Sequence, residues 1–135
     1  MRVVASCLCG GVRFTLPGPV GDITACHCSQ CRRASGHFAA SFDVEGDIDY
    51  VVRETLGTYE TPKGAMRGFC TRCGSSLWFR DVDGEVSVEA GAVDGLTGSR
   101  LTSHICVDDK GDYYDIDDTK LAESEYGAQG PEVSL

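Results

Sequence analysis

The sequence is short of positive charge, of aromatic side chains, of proline and of long apolar runs. No stretch approaches the ~20 apolar residues that a membrane helix needs, so no membrane partner is expected. Lysine and arginine number 12 against 21 aspartates and glutamates, a net charge of −9. Non-specific nucleic-acid affinity comes from clustered basic residues, and with no basic stripe here no nucleic-acid partner is expected either. Val4-Ala5-Ser6-Cys7 superficially matches a lipoprotein cleavage box, but only Met1-Arg2-Val3 precedes it, too little for the apolar region of a signal. The expected location is therefore cytoplasmic. In such a reducing setting, closely spaced thiols are read as metal ligands before disulfides.

What remains suits one small domain. A chain of 135 residues, 41% of them hydrophobic, can build a single modest core. Seventeen glycines against four prolines, with few long apolar stretches, favour short extended segments joined by turns, hence a mainly β fold. The negative charge is concentrated at one end, because residues 108–135 carry nine acidic residues against Lys110 and Lys120. That region is expected to be a solvated surface. The predicted division is one folded domain over residues 1–118 and an acidic tail over 119–135.

Period-two alternation in Val12-Arg13-Phe14-Thr15-Leu16 predicts a strand ended by Pro17-Gly18-Pro19. A second extended piece is expected over 23–28, then one or two helical turns over 29–35 closed by Gly36. Further strands are predicted over 38–44, 48–52, 56–61 and 66–69. Residues 76–80 and 85–89 flank Asp81-Val82-Asp83-Gly84, whose Asp-Gly pair predicts a hairpin. Two short strands, 104–107 and 113–116, are expected to complete the sheet.

Seven of the eight cysteines fall into short-spaced clusters: Cys7-x-Cys9, Cys26-x-Cys28-x2-Cys31 and Cys70-x2-Cys73, with Cys106 left over. Side chains two apart on a strand leave the same face, so Cys7 and Cys9 can address one ion. Cys70 and Cys73 can do so across a tight turn, where Gly74 lets the backbone pass close to the sulfurs. The two pairs together make a four-thiolate zinc site with no vacant position, and its role is structural. Cys26, Cys28 and Cys31 can occupy three corners about a second ion and leave the fourth open, which is the mark of a catalytic site. A substrate thiol at that corner binds as the thiolate, its nucleophilic form.

His27, His37 and His104 are the residues that could close the corner instead. His27, between two ligands on a presumed strand, should face away, whereas His37 follows the turn and could approach. Cys106 reads as a small apolar residue. Arg32 and Arg33 give this cluster local positive charge; Arg32 is a candidate contact for an anionic substrate, and Arg33 reads as solvated.

These motifs, Cys7-Leu8-Cys9-Gly10-Gly11-Val12, Cys26-His27-Cys28-Ser29-Gln30-Cys31-Arg32 with Gly36, Phe69-Cys70-Thr71-Arg72-Cys73-Gly74-Ser75 and Glu89-Ala90-Gly91-Ala92-Val93-Asp94, resemble those of the glutathione-dependent formaldehyde-activating enzyme family, also called the centromere protein V domain family. The resemblance runs over roughly residues 5–118 and reaches His104-Ile105. It implies an Mss4-like fold of small stacked antiparallel sheets and two Zn2+ per chain. It assigns Cys7, Cys9, Cys70 and Cys73 to the structural ion and Cys26, Cys28 and Cys31 to the catalytic one. It also implies carbon–sulfur lyase chemistry, glutathione adding to formaldehyde to give S-hydroxymethylglutathione. Where the family pattern has an aromatic residue two positions after His104, this chain has Cys106. The expected function is a zinc-dependent carbon–sulfur lyase acting on a small thiol such as glutathione and an aldehyde or thioether adduct. The competing readings are a zinc-stabilised protein-interaction module without catalysis, and a redox switch in which the three-cysteine cluster forms a reversible disulfide.

Overall fold

The computed structural model describes residues 1–117; the predicted acidic tail lies outside the described residues. Among the described residues, ten strands form two sheets. The smaller contains β1 (Arg2–Ser6), β2 (Val12–Pro17) and β5 (Asp49–Arg53), in the order β1-β2-β5. The larger runs β10-β3-β4-β9-β8-β7-β6, with β3 (Ile23–Cys26), β4 (Ala39–Asp43), β6 (Leu56–Glu60), β7 (Met66–Cys70), β8 (Ser76–Arg80), β9 (Val86–Glu89) and β10 (Leu101–Ile105). A short helix, α1 (Ser29–Ser35), links β3 to β4, and Gly36 closes it in the left-handed region at φ 84°.

Alternation places the core. In β2, Val12, Phe14 and Leu16 are fully buried while Arg13 faces water. They meet an apolar row on the larger sheet, where Phe42 pairs with Val88 and Val88 with Trp78. Burying side chains of this size stabilises the fold by about 1.5–3 kcal/mol each. Gly68 continues that row opposite Trp78, and a Cβ there would lie 2.1 Å from the indole, so the ring requires glycine at this position.

The residues on the other face of the same strands are mostly polar. Ser103, Thr24, Ser41 and Glu89 are successive cross-strand neighbours on β10, β3, β4 and β9. One step along lie Asp43, Ser87, Phe79 and Arg67. A sheet with one apolar and one polar face seats its core on one side and leaves a functional floor on the other.

Most predicted elements form close to their expected limits. In the β8–β9 hairpin, Gly84 takes φ 87° and Asp81 Oδ1 accepts bonds from the N–H groups of Asp83 and Glu85, both at 2.9 Å. Three readings need correction. The amino-terminal strand expected through Cys7 and Cys9 ends before them, as β1. Residues 113–116 are not a strand; Tyr113 and Tyr114 instead pack their rings on His37 and His27. The strand expected over 104–107 is β10, three residues earlier, and it runs parallel to β3 rather than antiparallel. Its residues carry no alternation that would fix its limits.

Candidate functional site

The first cluster is built from two turns. β1 ends at Ser6, and the chain reverses through Cys7 to Gly11, with Gly10 N–H donating to the Cys7 carbonyl at 3.2 Å and Gly10 at φ 81°. Cys7 and Cys9 thus converge through a turn, not through the extended strand expected from their spacing. Opposite them, Cys70 closes β7 and Cys73 follows in the turn, where Gly74 N–H donates to the Cys70 carbonyl at 2.9 Å and Gly74 takes φ 79°. The four sulfurs lie within 4.8 Å of one another. Cys7 to Cys9 is 3.7 Å and Cys9 to Cys70 is 3.6 Å. A tetrahedral zinc with bonds of about 2.3 Å sets its sulfurs about 3.8 Å apart, so this set fits zinc with no position to spare.

Donors surround these sulfurs. Backbone N–H groups of Arg72 and Cys73 point at Cys70 Sγ, both at 3.3 Å, and Val12 N–H points at Cys7 Sγ at 3.2 Å. The Arg72 guanidinium donates to Cys9 Sγ at 3.3 Å, and Ser75 Oγ lies 3.2 Å from Cys73 Sγ. Burial raises the Cys70 thiol, but Thr55 and the two backbone donors outweigh it and bring it down to about 7. The Ser75 hydroxyl and backbone bring Cys73 down to about 5. The Cys70–Cys73 turn therefore favours thiolates before any metal arrives, whereas burial pushes the Cys7 thiol up.

The second cluster sits at the strand-to-helix junction. Cys26 ends β3, Cys28 is the N-cap of α1 with its sulfur accepting from Cys31 N–H at 3.3 Å, and Cys31 lies in the first turn. All three are at most 5% exposed, and their sulfurs lie within 4.8 Å of one another. Contact with Cys28 and Cys31, then burial, pushes the Cys26 thiol up. Cys31 feels a downward pull from Cys26 but is raised to about 12 by Cys28 and burial. Three crowded, buried thiols resist ionising together unless a cation compensates them, so the donor set fits a zinc ion. Among the described residues this group has three ligand atoms and no fourth.

The histidines are engaged elsewhere. His27 is fully buried, with Nδ1 on the Tyr114 hydroxyl and Nε2 2.9 Å from His104 Nδ1. Burial, then the nearby His104, lowers it to about 4. His37 Nδ1 is 2.9 Å from the Tyr113 hydroxyl. Cys106 is half-buried against the cluster, with φ 55°. Arg33 is exposed. Arg32 Nε donates to the Asp109 carbonyl at 2.9 Å.

Cys26 and Cys31 open on a cavity of about 450 Å³ over the polar face of the larger sheet. Sequence reasoning missed two residues in it. Arg67 is 8% exposed, donates from Nε to Gln30 Oε1 at 2.7 Å, places Nη2 3.6 Å from Cys31 Sγ and lies over the Phe79 ring. Glu89 lines the same cavity, and burial, opposed by Arg67, pushes its carboxyl up to about 7. Arg67 sits in no local motif, and Glu89, although it opens the Glu89-Ala90-Gly91-Ala92-Val93-Asp94 motif, is marked there by nothing that points to the cavity; the signal for both was their place on the polar phase of strands whose other phase is apolar.

The family model described as glutathione-dependent formaldehyde-activating enzyme matches residues 2–109. An uncharacterized lyase of Schizosaccharomyces pombe is 27% identical over 113 residues, 82% of each chain. A Halomonas elongata protein, named provisionally as a glutathione-dependent formaldehyde-activating enzyme, is 30% identical over 129 residues, covering 87% of this chain and 82% of its own. A Rhodobacter sphaeroides crystal structure superposes with a TM-score of 0.56 at 26% identity, covering 75% of this chain and all of the other. The fold is the mainly β, Mss4-like one, with two cysteine clusters suited to metal. A match spanning nearly all the described residues, and carrying both clusters, means that this chain belongs to the glutathione-dependent formaldehyde-activating enzyme family.

Proposed function

We propose that the protein is a zinc-dependent carbon–sulfur lyase that joins or separates a small thiol, such as glutathione, and an aldehyde or thioether-type carbon. The observation that carries this reading is the second cluster: three buried cysteine sulfurs with an open side on a cavity of ligand size. Cys26, Cys28 and Cys31 would hold the catalytic ion, and Cys7, Cys9, Cys70 and Cys73 the structural one. The catalytic ion supplies a coordination position where a thiol loses its proton near neutral pH.

The chain's own residues do the rest. The Cys28 cap and the first turn of α1 fix the angle between the three sulfurs. Arg67 sets a positive charge beside Cys31, which offsets the negative charge gathered there. Arg32, which does not line the cavity and whose Nε is held by the Asp109 carbonyl, is the proposed contact for a substrate carboxylate that extends beyond it. The reading includes a cytoplasmic location, where substrate and protein thiols stay reduced.

The test is titration of glutathione into protein loaded with two zinc ions, following zinc-edge absorption while formaldehyde consumption is assayed. The expected result is an added sulfur neighbour at one zinc and loss of formaldehyde. Binding without consumption keeps the thiol site and discards formaldehyde. No binding with both ions present discards the lyase and leaves the interaction module.

A further inference from the structure

The cavity holds a carboxyl group that the cysteine cluster alone does not explain. Glu89 ends β9, where it pairs with Ser41, whose neighbour on the far side is Thr24. Cys26 stands two residues along β3 from Thr24, and pairing sets it opposite Ala39. Two strand spacings across and two residues along put the Cα atoms of Glu89 and Cys26 about 12 Å apart in ideal sheet geometry. Both side chains line the same cavity, so the gap between them has room for a sulfur and the carbon it bonds to. Arg67 ties the two ends together, reaching Cys31 Sγ with Nη2 and acting on the Glu89 carboxyl through its charge.

We propose, on the basis of the lyase reading above, that Glu89 is the general acid–base of the reaction. As the substrate thiolate attacks the aldehyde carbon, the carbon–sulfur bond forms and the carbon–oxygen π bond breaks. The π pair moves to oxygen, which takes the proton from the Glu89 carboxyl. The proton released when the next thiol ionises restores the acid. In the cleavage direction Glu89 carboxylate removes the hydroxyl proton of the adduct, the carbonyl reforms and the sulfur leaves with its bonding pair. No electron is gained or lost from outside.

The surroundings suit both roles. A carboxyl poised near 7 can give and take a proton at neutral pH, where an ordinary glutamate is almost wholly ionised. Arg67 faces it from β7, Cys26 and Cys31 share its cavity, and four carboxylates, Asp22, Asp43, Asp81 and Glu85, complete the charged lining. Burial favours the protonated form of Glu89, and the Arg67 charge opposes it.

Glu89→Gln keeps the size of the side chain and removes the proton. In the two-zinc protein, kcat is expected to fall about 10²–10⁴-fold, the range for loss of a general acid–base, with zinc content and thiol affinity unchanged. Glu89→Asp keeps the acid, sets it back by one methylene and is expected to lose less. Infrared difference titration of the two-zinc protein, wild type minus Glu89→Gln, gives a second readout: a carboxyl band with a midpoint near 7. A midpoint at the ordinary 4.5, or equal turnover in wild type and Glu89→Gln, overturns the assignment alone. Absence of turnover in the wild type on every thiol and aldehyde pair overturns the lyase reading and this assignment with it.

Discussion

The two cysteine clusters use the same side chain for opposite ends. The first is wrapped in donors: three backbone N–H groups, a guanidinium and two hydroxyls lie within 3.3 Å of its sulfurs. Donors hold the Cys70 and Cys73 thiols below their ordinary range, and four sulfurs close the coordination. In the second, Cys31 N–H reaches Cys28 Sγ at 3.3 Å, the Cys28 backbone bonds to Cys26, and the Arg67 guanidinium stands 3.6 Å from Cys31; the cluster sits deeper, with Cys26 and Cys31 beside a cavity. The first joins residues more than sixty positions apart, tying β1 to β7, whereas the second spans six residues of one junction. A cross-link of distant segments stabilises the fold; a local triad can lose its metal with the fold intact.

The largest effect should come from cutting that long-range link. Cys7→Ser removes a buried ligand from the first cluster, and structural zinc in small peptides contributes about 10–16 kcal/mol, as large as the whole ~5–15 kcal/mol that holds a typical domain together. Loss of the native circular dichroism spectrum and of both zinc ions is expected. Next comes Cys28→Ser. Serine is itself a preferred N-cap, so α1 should persist while one ligand of the open cluster is lost. Bound zinc should fall from two per chain to one and turnover should vanish, with a melting temperature close to wild type. Equal melting temperatures for Cys7→Ser and Cys28→Ser would erase the contrast.

A smaller change tests whether the donors matter. Arg72→Ala takes the guanidinium from Cys9 and should weaken zinc at the first cluster by about 10–100-fold, as loss of an outer-sphere partner does elsewhere, measured by competition with a chromophoric chelator. The smallest effect concerns pH. Glu89 has a folded pKa raised from 4.5 to about 7, so the folded state holds more protons than the unfolded one between those values. Its contribution to stability is full below 4.5 and fades as pH rises through 7. Glu89→Gln lacks that loss, so its melting temperature should gain a few degrees on wild type between acid and neutral pH. A constant difference across that range would place Glu89 in water.

Much of this was legible from local pattern. Helix α1 and its Gly36 stop, the Asp83-Gly84 hairpin and the division of seven cysteines into four and three follow from spacings of a few residues. What escaped was set over longer distances. β10 pairs with β3 across more than seventy residues, and nothing within Leu101-Thr102-Ser103-His104-Ile105 announces a parallel partner. The segment around Tyr113 and Tyr114 has the aromatic character of a strand, yet ring contacts with His37 and His27 hold it as a loop. Cys7 and Cys9 converge as expected through a different backbone, because a turn with Gly10 at positive φ brings the sulfurs together as well as a strand would.

The sequence by itself determined the metal chemistry, since ligand type and spacing within a turn are local properties that survive any arrangement of the remainder. Tertiary structure alone decided what shares the cavity with Cys26 and Cys31. Arg67 and Glu89 lie far from Cys26 and Cys31 in the chain and meet them only because the order β3-β4-β9-β8-β7 sets the polar phases of five strands on one face. The perturbed carboxyl follows from that meeting, because burial beside a charged partner arises only after distant strands have paired.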